Sequence, residues 1–221
     1  MKLAIFDFDG TLFTKDTLPC LGKEWLRQNR SKTRYIKIFL SIIPYVILYK
    51  LGVLDRDKMK ISALKRFDQL FKGMTKKEIK TFFSKAYPHM RKLFNPNVVE
   101  EIKLAQNEGY HCVLLSGAYA DLLNLVAKDL KIDSVIAVEI TYNNDVFDHE
   151  RDVPFINGES KLVLLKKLFL NHNIDWQSSR SYADSYSDLP VMKIVGQPVI
   201  VNPDEDLRTY GQKHNWRTIG A

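Results

Sequence analysis

Two cysteines, Cys20 and Cys112, are all that the 221 residues contain. That is too few for a disulfide framework, and Cys112 lies inside an apolar strand pattern where a packed thiol belongs. The scarcity suits a reducing compartment, so the chain is expected to be cytoplasmic. Long hydrophobic runs are missing too. The charge-free segment 38–49 holds 12 residues, short of the roughly 20 that a spanning helix needs. Nothing at the start reads as a signal peptide, because Met1-Lys2 leads straight into Leu3-Ala4-Ile5-Phe6, a short buried strand. No internal repeat, low-complexity tract or recognised nucleic-acid module occurs, and nucleic acid is not expected as a partner.

What is present is enough apolar residue, 45%, for one large α/β domain or one domain with an insertion. Charge is distributed unevenly. Residues 13–95 carry 20 Lys and Arg against 6 Asp and Glu, while the rest of the chain carries 13 against 20. A basic segment inside an acidic protein indicates two parts, the basic one facing either an anionic partner or plain solvent. Strand-like runs fall at Leu3–Phe6, 112–115, 135–140, 181–183 and 199–201. Helical spacing lies between them, as in Val98, Val99, Ile102 and Ala105, or Leu122, Leu123, Val126 and Leu130. A last helix is expected to open at Asn202-Pro203. Alternating strands and helices predict a Rossmann-like parallel sheet flanked by helices. Residues 13–95 break the rhythm with helical patterns only, Pro88 and Pro96 bracketing the exit. The expected organisation is a catalytic core of residues 1–12 and 96–221 and a helical cap of residues 13–95 inserted after the first strand.

The stretch Asp7-Phe8-Asp9-Gly10-Thr11-Leu12 is the most informative. In extended chain Asp7 and Asp9 point the same way and Phe8 turns into the core. The pair stands at the carboxyl end of a parallel strand, where open α/β sheets bind ligands. Two close carboxylates repel unless a cation lies between them, and Mg²⁺ suits oxygen ligands and phosphate substrates. The plainer alternative is a turn that merely ends a strand. Three later stretches favour chemistry. Ser116-Gly117 ends an apolar run with O–H and N–H groups that suit a phosphate oxygen. Lys161 opens a helix as a point charge. Asp184 ends a strand, with Asp188 one loop later, and such acids are costly unless they bind a cation or cap a helix.

In order and spacing these four stretches resemble the motifs of haloacid dehalogenase-like (HAD) phosphohydrolases, in the phosphoserine-phosphatase-like branch (subfamily IB), over the whole chain. The resemblance implies a Mg²⁺-dependent phosphatase working through an aspartyl-phosphate. Asp7 would be nucleophile and metal ligand. Asp9 would be general acid and base, with its backbone carbonyl on the metal. Ser116 and the Gly117 N–H would hold the phosphoryl group, and Lys161 would neutralise charge. Asp184 would complete the metal ligands, with Asp188 just behind. Ala183 departs mildly from the glycine that the family often has before its aspartate. Asp16 matches the position of a glutamate that contacts the substrate amine in phosphoserine phosphatases. One methylene shorter, it reads either as a substrate contact or as a helix N-cap.

The cap segment 34–50 is apolar and tyrosine-rich with basic flanks, which suits a membrane interface. It equally suits a buried helix pair. Its composition resembles phosphatidylglycerophosphatase C-like members of the branch. The expected substrate is a phosphorylated small molecule or lipid, with peripheral membrane contact through the cap as an open alternative. Two other readings stand beside hydrolysis: a phosphomutase or phosphotransferase, and a membrane-surface binding protein on the same fold.

Overall fold

The computed structural model describes residues 1–151, 154 and 156–220. The chain begins with β1 (Leu3–Phe6), then four helices: α1 (Thr17–Arg27), α2 (Lys32–Lys50), α3 (Arg56–Phe67) and α4 (Lys76–Arg91), with a 3-10 turn at Asp68–Phe71. There follow α5 (Pro96–Asn107), β2 (His111–Tyr119), α6 (Ala120–Leu130), β3 (Ser134–Val138) and a two-stranded ribbon of β4 (Tyr142–Asn143) and β5 (Val146–Phe147). The chain ends with α7 (Gly158–Leu168), β6 (Arg180–Ala183), α8 (Leu189–Met192), β7 (Gln197–Val201), α9 (Glu205–Lys213) and β8 (Arg217–Ile219).

Six strands form one sheet in the order β3-β2-β1-β6-β7-β8, every pairing parallel. β1 is apolar throughout because both of its faces are covered. Ala4 and Phe6 enter the larger core cluster, while Leu3 and Ile5 enter a second cluster with Leu165 and Phe169. The chain passes from β1 to β2 on one side and later to β6 on the other. The strand order therefore reverses at β1, and a crevice opens at the carboxyl ends of β1, β2 and β6.

Among the described residues between β1 and α5, all elements are helical. The two crossings into this segment run side by side, with Thr14 N–H donating to Leu93 O at 3.1 Å and Asn95 N–H to Leu12 O at 2.8 Å. Pro88 does not mark the exit, since it lies inside α4. A capping box of Thr75 and Glu78 starts that helix, and the buried face of Ile79, Phe82, Phe83, Ala86 and Met90 holds it through the proline. Pro44 likewise lies inside α2, so segment 38–49 belongs to one helix; it pairs with α3 through Tyr45 and Arg66, and no residue of α2 is fully buried. Among the described residues no helix is long and apolar enough to cross a membrane.

The strand expected at 135–140 stops at Val138, and α9 starts at Glu205, where Asp204 caps the Leu207 N–H at 2.9 Å. The edge strand β8 and the β4–β5 ribbon have no apolar run to announce them; their pairing arises from neighbouring chain.

Candidate active site

The Asp7 N–H continues the ladder by donating to Tyr182 O at 3.0 Å. Phe8 is buried, stacked on Phe13. Gly10 takes φ +82°, and a Cβ there would lie 2.2 Å from Asp184 Oδ2. The turn after β1 thus needs glycine both for its backbone and for the close approach of Asp184. Thr11 Oγ1 donates to Asp184 Oδ1 at 3.3 Å.

Lys161 stands in the first turn of α7, which Asn157 caps by accepting from the Ser160 N–H at 3.0 Å. A Cβ on Gly158 would meet Ser187 O at 1.6 Å, so the start of α7 presses directly on the loop carrying Asp188. This places Lys161 Nζ between two carboxylates, 2.6 Å from Asp7 Oδ1 and 2.6 Å from Asp188 Oδ1. All three are nearly out of water: Asp7 is 8% exposed, Lys161 7% and Asp188 5%.

Asp7, Asp184 and Asp188 each offer an oxygen, all within 4.8 Å of one another. One ammonium lies between two of these three carboxylates, which leaves an excess of negative charge. Burial pushes the Asp7 carboxyl up from its ordinary value while Lys161 pulls against it. Asp184 is pushed up to about 7, first by burial and then by Asp7 and Asp188. Lys161 loses solvation, yet Asp188 and Asp7 more than compensate and hold it charged. Such a donor set can hold a metal ion with oxygen preference.

The Asp9 carboxylate stands outside this trio, on the same cavity wall. Its Oδ1 accepts from the Thr17 N–H at 3.0 Å and from Thr17 Oγ1 at 2.5 Å. Burial pushes it up to about 7, against the pull of the Thr17 hydrogen bond. Asp9 therefore satisfies the first turn of α1. Asp16 occupies the N-cap position but makes no side-chain cap bond, and it lines the cavity in front of the site. Ser116 is buried where the β2–β3 register shifts, and its Oγ accepts from the Ala118 N–H at 3.2 Å. Irregular strand ends of this kind turn backbone groups toward a site. Gly117 lies beside it, a Cβ there falling 3.1 Å from Ile156 O.

A cavity of about 510 Å³ joins these residues, with Asp7, Asp9, Ser116, Gly117, Lys161, Asp184 and Asp188 all on its wall. The sequence reading missed several groups that set this geometry. Thr17 and Thr11 position the acids, and only their neighbourhood to Asp16 and Gly10 hinted at it. Lys60 of α3 lines the cavity, and its charge acts on Asp7, Asp9 and Asp184. Arg56 binds Ser185 Oγ and reaches Asp204 Oδ2 at 3.2 Å, while Asn157 Nδ2 donates to Asp57 Oδ2 at 3.2 Å. These contacts seat the start of α3 over the site. No sequence signal separates Lys60 or Arg56 from the many other basic residues of the segment. Arg66, by contrast, is spent within the helices, donating to Tyr45 Oη at 2.7 Å.

Comparison with known proteins agrees with this arrangement. The chain is 24% identical to a Streptomyces azureus protein named for inhibition of morphological differentiation, over 96% of this chain and 76% of that one. A phosphoserine phosphatase of Mycobacterium tuberculosis is 22% identical over 49% of this chain and 35% of its own length. Among solved structures, a Bordetella pertussis protein of unknown function superposes with TM-score 0.83 at 19% identity, covering 99% of this chain and 98% of that one. A phosphoserine phosphatase holding an analogue of its phospho-aspartyl intermediate superposes with TM-score 0.63 at 18% identity, covering 94% and 90%. Residues 4–193 match the family described as haloacid dehalogenase-like hydrolase. With that match, the reversed strand order and the carboxylates gathered at its switch point, the chain belongs to the haloacid dehalogenase-like hydrolase family and has the fold of its phosphoserine-phosphatase-like members.

Proposed function

We propose that this enzyme is a Mg²⁺-dependent phosphatase that hydrolyses a phosphate monoester through an aspartyl-phosphate on Asp7. The observation that carries the reading is the buried Asp7–Lys161–Asp188 ion-paired row beside Asp184, at the switch point of a parallel sheet. Three relatives are named as phosphatases, one of them for phosphoserine and one for histidinol phosphate. Kinship therefore supports the reaction and leaves the substrate open between a small anionic metabolite and a lipid-linked phosphate.

A carboxylate oxygen of Asp7 attacks phosphorus and the bond from phosphorus to the ester oxygen breaks. Asp9 gives its proton to that departing oxygen, then takes one from the water that attacks the aspartyl-phosphate. Inorganic phosphate leaves and Asp7 regains its carboxylate. Ser116 O–H and Gly117 N–H hold the phosphoryl oxygens, and Lys161 offsets charge on Asp7 and the phosphate. Asp7 and Asp184, with the Asp9 carbonyl, would hold Mg²⁺, and Asp188 would act from the far side of Lys161. The excess of carboxylate over ammonium in the trio fits a hard, oxygen-seeking cation. When bound, the ion supplies positive charge that offsets repulsion between Asp7 and a phosphate dianion.

Phosphate release from p-nitrophenyl phosphate tests the reading. Asp7→Asn is expected to lower kcat by at least about 10³-fold, since this removes the nucleophile. Chelation should stop turnover and added Mg²⁺ restore it. Full activity in Asp7→Asn would sink the mechanism, and indifference to chelation would sink the metal. Transfer of phosphate to a second substrate position in place of release would favour a mutase.

A further inference from the structure

The cavity does not end at the catalytic carboxylates. It continues to side chains of α2 and α3, and there its character changes. Ile38, Ile42 and Val46 face it from α2 at four-residue spacing, and Ala63, Leu64 and Phe67 face it from α3. The two helices pack on each other through Arg66 and Tyr45, and these apolar side chains form their shared wall of the cavity. An apolar wall that meets no partner atoms forgoes dispersion contacts that an apolar ligand would supply. At about 510 Å³ the whole cavity falls within the range that takes drug-sized ligands.

The charged wall residues are differently placed. Asp16 adjoins Thr17, which binds Asp9; Asp57 is bonded to Asn157 at the start of α7; and the charge of Lys60 acts on Asp7 and Asp9. Lys60 and the two acids stand near the catalytic carboxylates, and apart from Asp57 and Lys60 the cavity-lining residues of α2 and α3 among the described residues are uncharged. Lys23, from α1, also lines the wall.

Resting on the phosphatase reading above, we infer that the leaving group of the substrate carries an apolar chain, which lies against Ile38, Ile42, Val46, Ala63, Leu64 and Phe67 while the phosphate sits at Asp7. The substrate class is a phosphate monoester amphiphile, R–O–PO₃²⁻ with R a hydrocarbon tail, hydrolysed to R–OH and phosphate. The chamber also continues to the surface. Phe39 lines it and is 52% exposed, and Ile36, Leu40 and Ile47 stand exposed on the same helix. Lys32, Arg34, Lys37 and Lys50 lie on α2 with them. The tail therefore enters either from water or from an anionic lipid surface, and the two sources share one chemistry.

The test is a series of n-alkyl phosphates from ethyl to octyl, below their micelle concentrations, with O-phosphoserine alongside. Burial of one methylene is worth about 0.8 kcal/mol, or roughly fourfold, so kcat/KM is expected to climb about two- to fourfold per carbon until the chamber is full. O-Phosphoserine should fall below butyl phosphate. A flat series on an enzyme that turns over p-nitrophenyl phosphate would overturn the inference and leave the phosphatase reading intact. Affinity for matching n-alkyl phosphonates, measured by calorimetry, keeps the inference testable if nothing is turned over. There a Kd independent of chain length overturns it, and a Kd that tightens with length supports it. Ile42→Gln should weaken octyl phosphonate about tenfold more than ethyl phosphonate, whereas equal losses on both would count against the chamber. Turnover of a diacylglycerol phosphate in anionic vesicles, compared with octyl phosphate in solution, distinguishes the sources. Preference for the vesicle assigns the exposed side of α2 to the lipid surface, and preference for the free amphiphile assigns the tail to solution.

Discussion

Gly10 carries two constraints at once, a left-handed backbone at φ +82° and the Asp184 carboxylate where its side chain would be. An alanine must strain the turn by about 1–2 kcal/mol and push Asp184 aside. Gly10→Ala is therefore expected to fold with a lowered melting temperature and to lose at least about tenfold in kcat, since small displacements at a reacting centre cost that much or more. Thermal melts and Mg²⁺-dependent turnover check both parts. An enzyme with unchanged kcat would show that Asp184 need not lie where it does. Asp9, Gly10 and Thr11 were legible as a motif in the sequence. The approach of Asp184, 174 positions away from Gly10 along the chain, was not.

At the scale of elements, the opening of α1 is tied to the chemistry. Thr17 satisfies Asp9 with its N–H and its hydroxyl, in the place where Asp16 makes no cap bond. Thr17→Val keeps the N–H and removes the hydroxyl. The expected loss is about 1 kcal/mol of stability and roughly tenfold in kcat, because Asp9 is then held by one donor and not two. Thr17→Ser should recover most of the kcat, and its failure to do so would make the effect one of packing alone. The helices themselves were readable from their spacing. Their ends and continuity were less so, because Pro44 and Pro88 read as breaks in sequence. The buried face of α4 holds that helix through Pro88. α2 carries Pro44 while packing its inner side over the cavity and leaving its outer side to solvent.

Across the whole molecule, one apolar cluster runs from the sheet into the helical segment, including Phe8, Leu12, Phe71, Phe83, Tyr119 and Leu122. Within it Tyr119, at the end of β2, donates to Asp68 of the 3-10 turn at 2.5 Å, while Asp68 Oδ2 is buried with no hydrogen-bond partner among the described residues. Burial pushes the Asp68 carboxyl up to about 7, with the Tyr119 bond opposing. The folded protein thus binds this proton more tightly than the unfolded chain, whose carboxyl titrates near 3.8. The contribution is fully present below about pH 4 and is lost as pH rises through about 7. The difference amounts to at most roughly 4 kcal/mol. Asp68→Asn should match the parent in urea stability near pH 4 and exceed it at pH 8. Parallel pH profiles for the two proteins would refute this. Because the cluster is continuous, a single cooperative unfolding transition is expected by calorimetry, and two separate transitions would show that the helical segment and the sheet fold apart.

The sequence by itself determined the reaction class and five of the six strands of the parallel sheet. Buried parallel strands must be apolar on both faces; Asp7, Asp9, Ser116, Asp184 and Asp188 follow such runs at recognisable spacings, and Lys161 opens a helix. Local pattern is enough where the requirement is local. The tertiary structure alone decided which carboxylates meet, with Asp188 joining Asp7 across Lys161 and Asp9 turned to Thr17. It alone selected Lys60 and Arg56 from a crowd of basic residues, and it made the inner side of α2 the wall of a chamber. Those outcomes depend on distances between segments far apart in the chain, and a periodic pattern records only which side of a helix is apolar, not what lies opposite it.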